Sequence, residues 1–315
     1  GMKHFNSKSD MSNELIAHME SIAYQHGKYF DSYLIMQPDR EYLWGSDDES
    51  VIGFYRVGNC LNVGGGIICA EHSTAQFLEE IVQFVKENAL VISFYNLNHD
   101  DAMLLKSHGF QCSHYGVESR LPLPNHTWTG SQFSWVRRQC NYVKRHDVNV
   151  EEWDPETIGQ KPDCDRLQEM QTVADQHLVG KSQKSEIPFF EGHLIAGHFH
   201  RKRIFAAQSN GRLEGFAICN PLLDGSQWSI EMYRQREDAV RGTTTFLIRE
   251  IVDQFQREGF EEVSLCPIPT IGADRPNQGG SIKVKMALSL WNKSGSLMFD
   301  ARGLYHFKSR FPPEF

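Results

Sequence analysis

One order of elements occurs twice along this 315-residue chain, and it constrains the fold more than any overall composition does. In the first half, Val51-Ile-Gly-Phe-Tyr-Arg-Val and Leu61 to Cys69 read as strands, rich in β-branched and aromatic residues. A helix is expected from Thr74 to Asn88, with Phe77, Leu78, Ile81, Val82 and Val85 on one apolar face and Ser73 as its N-cap, paired with Gln76 in a capping box. Val91-Ile-Ser-Phe-Tyr follows as a strand, then a short helix from Asp100 to His108 closed by Gly109, and Phe110 opens a further strand.

In the second half, Ile204 to Ser209 and Leu213 to Asn220 read as a hairpin about Asn210-Gly211, and Trp228 to Tyr233 as the next strand. The helix from Thr243 to Glu258 carries apolar residues at 247, 248, 251, 252 and 255, and Gly259 closes it ahead of Glu262-Val-Ser-Leu-Cys. The reading is therefore two copies of one βββαβ plan. Leu121-Pro-Leu-Pro-Asn-His marks a linker between them. Beyond it Phe133, Val136, Cys140 and Val143 recur at helical spacing, with Arg137, Arg138, Lys144 and Arg145 on the other face. This basic amphipathic helix is expected to lean on the second half. The division is 1–120, 121–150 and 151–315. Pro267 to Ser281, rich in Pro and Gly, reads as a long loop.

Composition narrows the function classes. The longest apolar runs fall far short of the ~18 residues that cross a bilayer, and no secretory apolar block precedes the first strands, so a cytoplasmic location is expected, with peripheral membrane contact left open. Seven cysteines without a Cys-x-x-Cys pair argue for reduced, buried thiols. A net charge of −8 gives no global attraction for polyanions, so any such partner must meet a local basic patch. His193, His198 and His200 lack zinc-site spacing. Gly180-Lys181-Ser182 lacks the upstream Gly of a P-loop, and no Gly-x-Ser-x-Gly or Gly-x-Gly-x-x-Gly occurs, which disfavours nucleotide hydrolase, serine hydrolase and dinucleotide chemistry.

Four places carry candidate chemistry. Arg241, Gly242 and Thr243 open an amphipathic helix after a strand, where backbone N–H groups suit a phosphate or pyrophosphate; a plain helix cap is the rival reading. Glu231 and Arg234 lie three apart on a strand and reach one pocket only if the strand ends or bulges near Tyr233; otherwise they form surface ion pairs. Lys308 and Arg310 end an aromatic strand, either as cations for an oxyanion or a phosphate, or as solvated strand ends. Arg137 and Arg138, with Lys144 and Arg145, offer phosphate contacts, against the commoner solvated helix face.

Two motifs in the right order carry a resemblance. Gly303, Leu304, Phe307, Lys308, Phe311 and Pro313 match the closing Gly-Leu-x-x-Phe-Lys-x-Lys-Phe-x-Pro pattern of the catalytic domain of phosphatidylglycerol lysyltransferases. Upstream, Ser229-Ile-Glu-Met-Tyr-Arg through Arg241-Gly-Thr resembles that family's Asp-Leu-Met-Arg segment and its following Gly-Thr. The likeness runs from about residue 20 to the end. It implies an α+β protein of two tandem domains like the GNAT acyl-CoA N-acyltransferases, each a mixed sheet flanked by helices. It further implies an acyltransferase needing no cofactor, which moves an amino acid from aminoacyl-tRNA to a hydroxyl or amine acceptor, either an anionic phospholipid head group or a soluble molecule. In this likeness Glu231, Arg234 and Lys308 are catalytic, and Lys181, Glu186, Arg137, Arg138 and Arg310 bind substrate. The alternatives are an acyl-CoA-dependent N-acyltransferase, with Arg241, Gly242 and Thr243 on the coenzyme A pyrophosphate, and a non-catalytic ligand-binding protein. Glu231 is one methylene longer than the family's Asp, one Gly follows Arg241 where acyl-CoA enzymes have two, and the chain reaches Phe315 without the family's closing Trp.

Overall fold

The computed structural model describes residues 1–158, 164–179, 201–269, 300–309 and 311. Among these, twelve strands form one sheet. In chain order the first half gives β1 (Lys3–Phe5), α1 (Asn13–His26), β2 (Glu41–Trp44), β3 (Val51–Val57), β4 (Cys60–Val63), α2 (Thr74–Glu87), β5 (Val91–Leu97), α3 (His99–Ser107) and β6 (Phe110–Pro122). The second gives α4 (Ser134–Arg145), β7 (Asn149–Trp153), α5 (Pro155–Ile158), α6 (Asp165–Val179), β8 (Arg203–Ser209), β9 (Arg212–Leu222), β10 (Gln227–Gln235), α7 (Thr243–Arg257), β11 (Glu262–Pro269) and β12 (Asp300–Ser309).

The strand order is β1-β2-β3-β4-β5-β12-β6-β11-β10-β9-β8-β7. Neighbours run antiparallel except β4 with β5 and β10 with β11, each of which is bridged by a helix, α2 or α7. Read from either edge the pattern is the same, so a pseudo-two-fold axis passes through the sheet between β6 and β12. Those two strands pair from Asp300↔Arg120 to Ser309↔Phe110. Each also pairs with the other half: β6 lies against β11 and β12 against β5. The halves thus share their central strands.

An axis that reverses both strand order and strand direction must stand perpendicular to the sheet, so α2 and α7 cover one face and α1 and α6 the other. Four cores follow from the alternation of side chains along the strands. Phe77, Leu78, Ile81 and Val85 of α2 meet Ile52, Phe54 and Phe94. Leu247, Ile251 and Phe255 of α7 and Val136 and Val143 of α4 meet Phe205, Trp228 and Ile230. On the opposite face α1 brings Met19 and Ile22 to Tyr42 and Trp44, and α6 brings Met170 and Val173 to Phe216 and Met232.

Three local expectations change. The strand expected to reach Cys69 stops at Val63, because Gly65 and Gly66 turn the chain at φ +90° and +79°. Ser73 makes no side-chain cap to α2. Of the loop expected from Pro267, the first three residues extend β11 and the remainder lies outside the described residues. The basic helix does lean on the second half: a Cβ on Gly242, the first residue of α7's cap, would stand 2.6 Å from Gln139 Oε1 and 3.1 Å from Val143. Lys181, Glu186, Arg310, His193, His198 and His200 lie outside the described residues.

Candidate functional site where β10 and β11 part

Parallel strands that part at their carboxyl ends leave a crevice between them, and ligands of open α/β sheets collect there. β10 and β11 pair only at Trp228↔Val263 and Ser229↔Ser264. Beyond that point both strands are irregular. On β11 the register against β6 shifts between Ser264 and Cys266. On β10 the register against β9 shifts between Ile230↔Cys219 and Met232↔Ile218, so Glu231 is one residue too many.

That extra residue decides which side chains meet. Ile230 packs in the core beneath α7, whereas Met232 packs in the core beneath α6. In a regular strand two residues apart would share a face; the bulge reverses the alternation. Tyr233 returns to the α7 side, which leaves Arg234 on the same face as Glu231. The condition set by the sequence for these two residues to share a pocket is met by this bulge.

On that face Lys202 Nζ lies 2.8 Å from Glu231 Oε2, with both side chains largely buried, and 5.8 Å from the ring centre of Tyr33. Arg234 is 7% exposed and donates from Nη1 to the Tyr233 carbonyl at 2.9 Å. Tyr33 comes from the first half. Burial pushes its phenol well above the usual range, with Arg201 pulling it down and Glu20, Tyr24 and Glu231 raising it further. Its hydroxyl is buried without a hydrogen-bond partner among the described residues. Side chains of both halves therefore meet on this face.

The segment from Gly27 to Tyr33 makes this possible by spanning the junction. Arg120 Nη2 donates to the Lys28 carbonyl at 2.9 Å, and Ser229 Oγ to the Phe30 carbonyl at 3.3 Å. The Tyr29 hydroxyl donates to Asp101 and accepts from the Asn98 N–H at 3.2 Å. Asp31 accepts from Asn96 Nδ2 at 3.2 Å and from the backbone of Gly65. Burial pushes the Asp31 carboxyl up to about 7; Asn96 and the backbone N–H groups pull it down and Glu118 adds to the rise. Arg120 also holds Glu118 at 2.9 Å and Glu262 at 3.0 Å, all three nearly or wholly buried.

The remaining sequence candidates lie elsewhere. Lys308 is exposed on β12, across from Gln111 and Ser93. Three inter-strand steps and several residues of strand separate it from Glu231, over roughly 20 Å by ordinary sheet spacings. The structure does not bring it to Glu231 and Arg234. At Arg241-Gly242-Thr243 the helix start is filled from within: Gln139 packs on Gly242, Thr243 Oγ1 donates to the Val240 carbonyl at 2.5 Å, and the Thr244 N–H and hydroxyl both donate to Gln235 Oε1, at 3.2 and 2.7 Å. That arrangement fits the helix-cap reading and gives the pyrophosphate reading no geometric support. Arg137 is spent on the loop before α4, donating to the Trp128 and Gly130 carbonyls at 2.5 and 2.8 Å. Arg138, Lys144 and Arg145 are exposed.

Sequence reasoning missed Tyr33, Asp31 and Asn220. Cross-strand register places Asn220, Ser229 and Ser264 in one row with Arg120, a grouping that only the paired strands reveal. Among the described residues no group of three or more His, Cys, Asp or Glu suits a metal ion, and no helix is long and apolar enough to cross a membrane.

Comparison with known proteins agrees with this architecture. A family profile described as phosphatidylglycerol lysyltransferase, C-terminal, matches residues 20–315. The phosphatidylglycerol lysyltransferase of Bacillus subtilis (strain 168) is 22% identical over 287 residues, covering 90% of this chain and 32% of that protein. One from Staphylococcus epidermidis is 23% identical over 216 residues, covering 68% of this chain and 25% of its own length. The chain thus spans about a third or less of these curated relatives. Among solved structures, L-PGS from Bacillus licheniformis superposes with a TM-score of 0.76 at 18% identity, and a C-terminal DUF2156 domain from Agrobacterium fabrum with 0.76 at 15%, each over 95% of this chain and 92% of the other. FemX superposes with 0.58 at 10% identity over 94% of this chain and 96% of its own. The α+β fold of two similar halves is shared with them.

Proposed function

This chain belongs to the phosphatidylglycerol lysyltransferase C-terminal family, and on that premise we propose that it is an acyltransferase which moves an aminoacyl group from aminoacyl-tRNA to a hydroxyl of a phospholipid head group. The observation that carries the proposal is the bulge at Glu231, which turns Glu231 and Arg234 to one face of β10, where Lys202 pairs with Glu231 and lies over the ring of the first half's Tyr33.

The chemistry asks little of the protein, because the donor ester is already activated. Glu231 is placed to read the ammonium group of the donated amino acid, in competition with or alongside Lys202. Arg234, buried three residues further along the same strand, offers fixed positive charge to the oxyanion that develops on the ester carbonyl, where low dielectric makes such charge effective. Holding donor and acceptor together supplies the rest. No cofactor is required in this scheme. The exposed Arg138, Lys144 and Arg145 of α4 are suited to phosphates of tRNA or of an anionic bilayer.

The test is thermal stabilisation by lysine amide, a stand-in for the donor's aminoacyl end, beside coenzyme A. A ligand at 100 times its Kd stabilises the native state by about 2.7 kcal/mol. Stabilisation by lysine amide, weakened tenfold or more in affinity by Glu231→Gln, is expected. Stabilisation by coenzyme A alone refutes the proposal.

A further inference from the structure

Lys202 immediately precedes β8 and sets its ammonium group 2.8 Å from Glu231 Oε2. The two side chains are 13% and 11% exposed, so both charges are largely withdrawn from water. Lys202 Nζ also lies 5.8 Å from the centre of the Tyr33 ring, whose face attracts a cation. Beside this pair Arg201 Nε meets Glu20 of α1 at 3.2 Å, and its guanidinium stands 4.1 Å from the centre of the Tyr24 ring. Arg201, Glu20, Tyr24 and Glu231 all act on the Tyr33 phenol, which puts both ion pairs about one ring. Glu231 and Glu20 thus each have a cation of the protein's own against them. Arg234, three residues along β10, adds further positive charge on the same face.

We infer that Lys202 sets the donor specificity of this site: it discriminates against aminoacyl groups with a cationic side chain, so that this chain takes a donor whose side chain is neutral. The inference rests on the acyl transfer proposed above. An amino acid esterified through its carboxyl presents one α-ammonium group whatever its side chain, and Glu231 is placed to accept that group alongside Lys202. A donor with a cationic side chain brings a second positive charge into the same poorly screened space. The carboxylate that a lysyl side chain would need there is neutralised by the protein's own lysine, and like charges at such range repel strongly away from water. Pushing Lys202 aside gives no relief, because breaking a buried pair leaves a charge uncompensated.

Sheet pairing does not account for the contact. The Lys202–Glu231 pair spans the width of β9, since Arg203 and Ile230 both lie opposite Cys219, and the ladders of β9 with β8 and with β10 already fix the places of both strands. A purely structural pair would leave the site indifferent to the charge at the end of a bound side chain. Specificity is therefore the property that separates the two roles.

The experiment compares lysine amide with norleucine amide, which has a similar chain ending in a methyl group, by thermal stabilisation at pH 7 and fixed ionic strength, read as Kd. In the parent protein norleucine amide is expected to bind about tenfold or more tightly than lysine amide. Lys202→Met is expected to abolish or reverse that preference, with Lys202→Gln as a second neutral variant and Lys202→Arg, which keeps the charge, retaining it; ligand-free melting curves show which variants are folded. Lysine amide binding as tightly as norleucine amide in the parent protein overturns the inference without recourse to any variant, and leaves the proposed function standing. A parent preference that survives unchanged in a folded Lys202→Met or Lys202→Gln protein also overturns it. Failure of both amides to stabilise the parent protein overturns this inference and the proposed function together.

Discussion

Replacing Asp31 by Asn gives the sharpest measurable consequence of the junction. The side chain is 5% exposed and its carboxyl is pushed from 3.8 to about 7, chiefly by burial. Asn keeps the shape and the acceptor oxygen facing Asn96 but has no charge to bury. The sign follows from proton linkage. A carboxyl that holds its proton more tightly when folded contributes stability that is complete below 3.8 and is lost as the pH rises through 7. Full loss, over about three pH units, is about 4 kcal/mol at 1.36 kcal/mol per unit. Between pH 5 and pH 8 the folded state gives up nearly all of this proton while the unfolded state has almost none left, so the window captures about 2–3 kcal/mol of it. Urea unfolding of both proteins at fixed ionic strength, every half unit from pH 5 to pH 8, isolates the effect, because groups common to both cancel in the difference. Relative to the Asn variant, the wild-type chain should lose about 2–3 kcal/mol across the window. A difference constant to within about 0.5 kcal/mol refutes the burial of a protonated Asp31.

Three further substitutions test the surrounding frame. Gly66→Ala should destabilise by about 2–4 kcal/mol in urea, since φ is +79° and the new Cβ would stand 2.5 Å from the Tyr29 ring, whereas Gly58→Ala, at φ +60° with open space, should cost no more than about 1 kcal/mol. Gly242→Ala should push α4 off α7, and adding Gln139→Ala should recover part of the loss by removing the atom 2.6 Å from the new Cβ; strictly additive losses would contradict this packing. Arg120→Met should cost about 3–5 kcal/mol by stranding two buried carboxylates, and Glu118→Gln with Glu262→Gln in the same chain should restore much of it; a single variant as stable as the parent would mean the trio is solvated.

How much of the site was legible depended on range. A short motif brackets Glu231 and Arg234 and so singles them out as candidates, but their meeting on one face hangs on a bulge that alternation alone cannot locate. Lys308 was grouped with them through a second motif, and sheet register carries it away. The helix start at Gly242 looked like a phosphate site because helix N-termini resemble one another in sequence; whether their N–H groups are already spent is a property of neighbours such as Gln139 and Gln235, far off in sequence or on another element. Asp31 and Tyr33 gave no local signal, since nothing in a Tyr-Phe-Asp-Ser-Tyr stretch says that it will thread a junction.

What the chain determined by itself was its repeated order of elements, its helix faces and its hairpin at Asn210-Gly211, because periodicity, capping and turn chemistry act within a few residues. What tertiary structure alone decided was the exchange of β6 and β12 between the halves and the polar row they bring together. Two strands of similar pattern compete for each central place in the sheet, and the choice is made by pairing over the whole molecule and by burial of Arg120 with its two carboxylates, energies that no window of sequence contains.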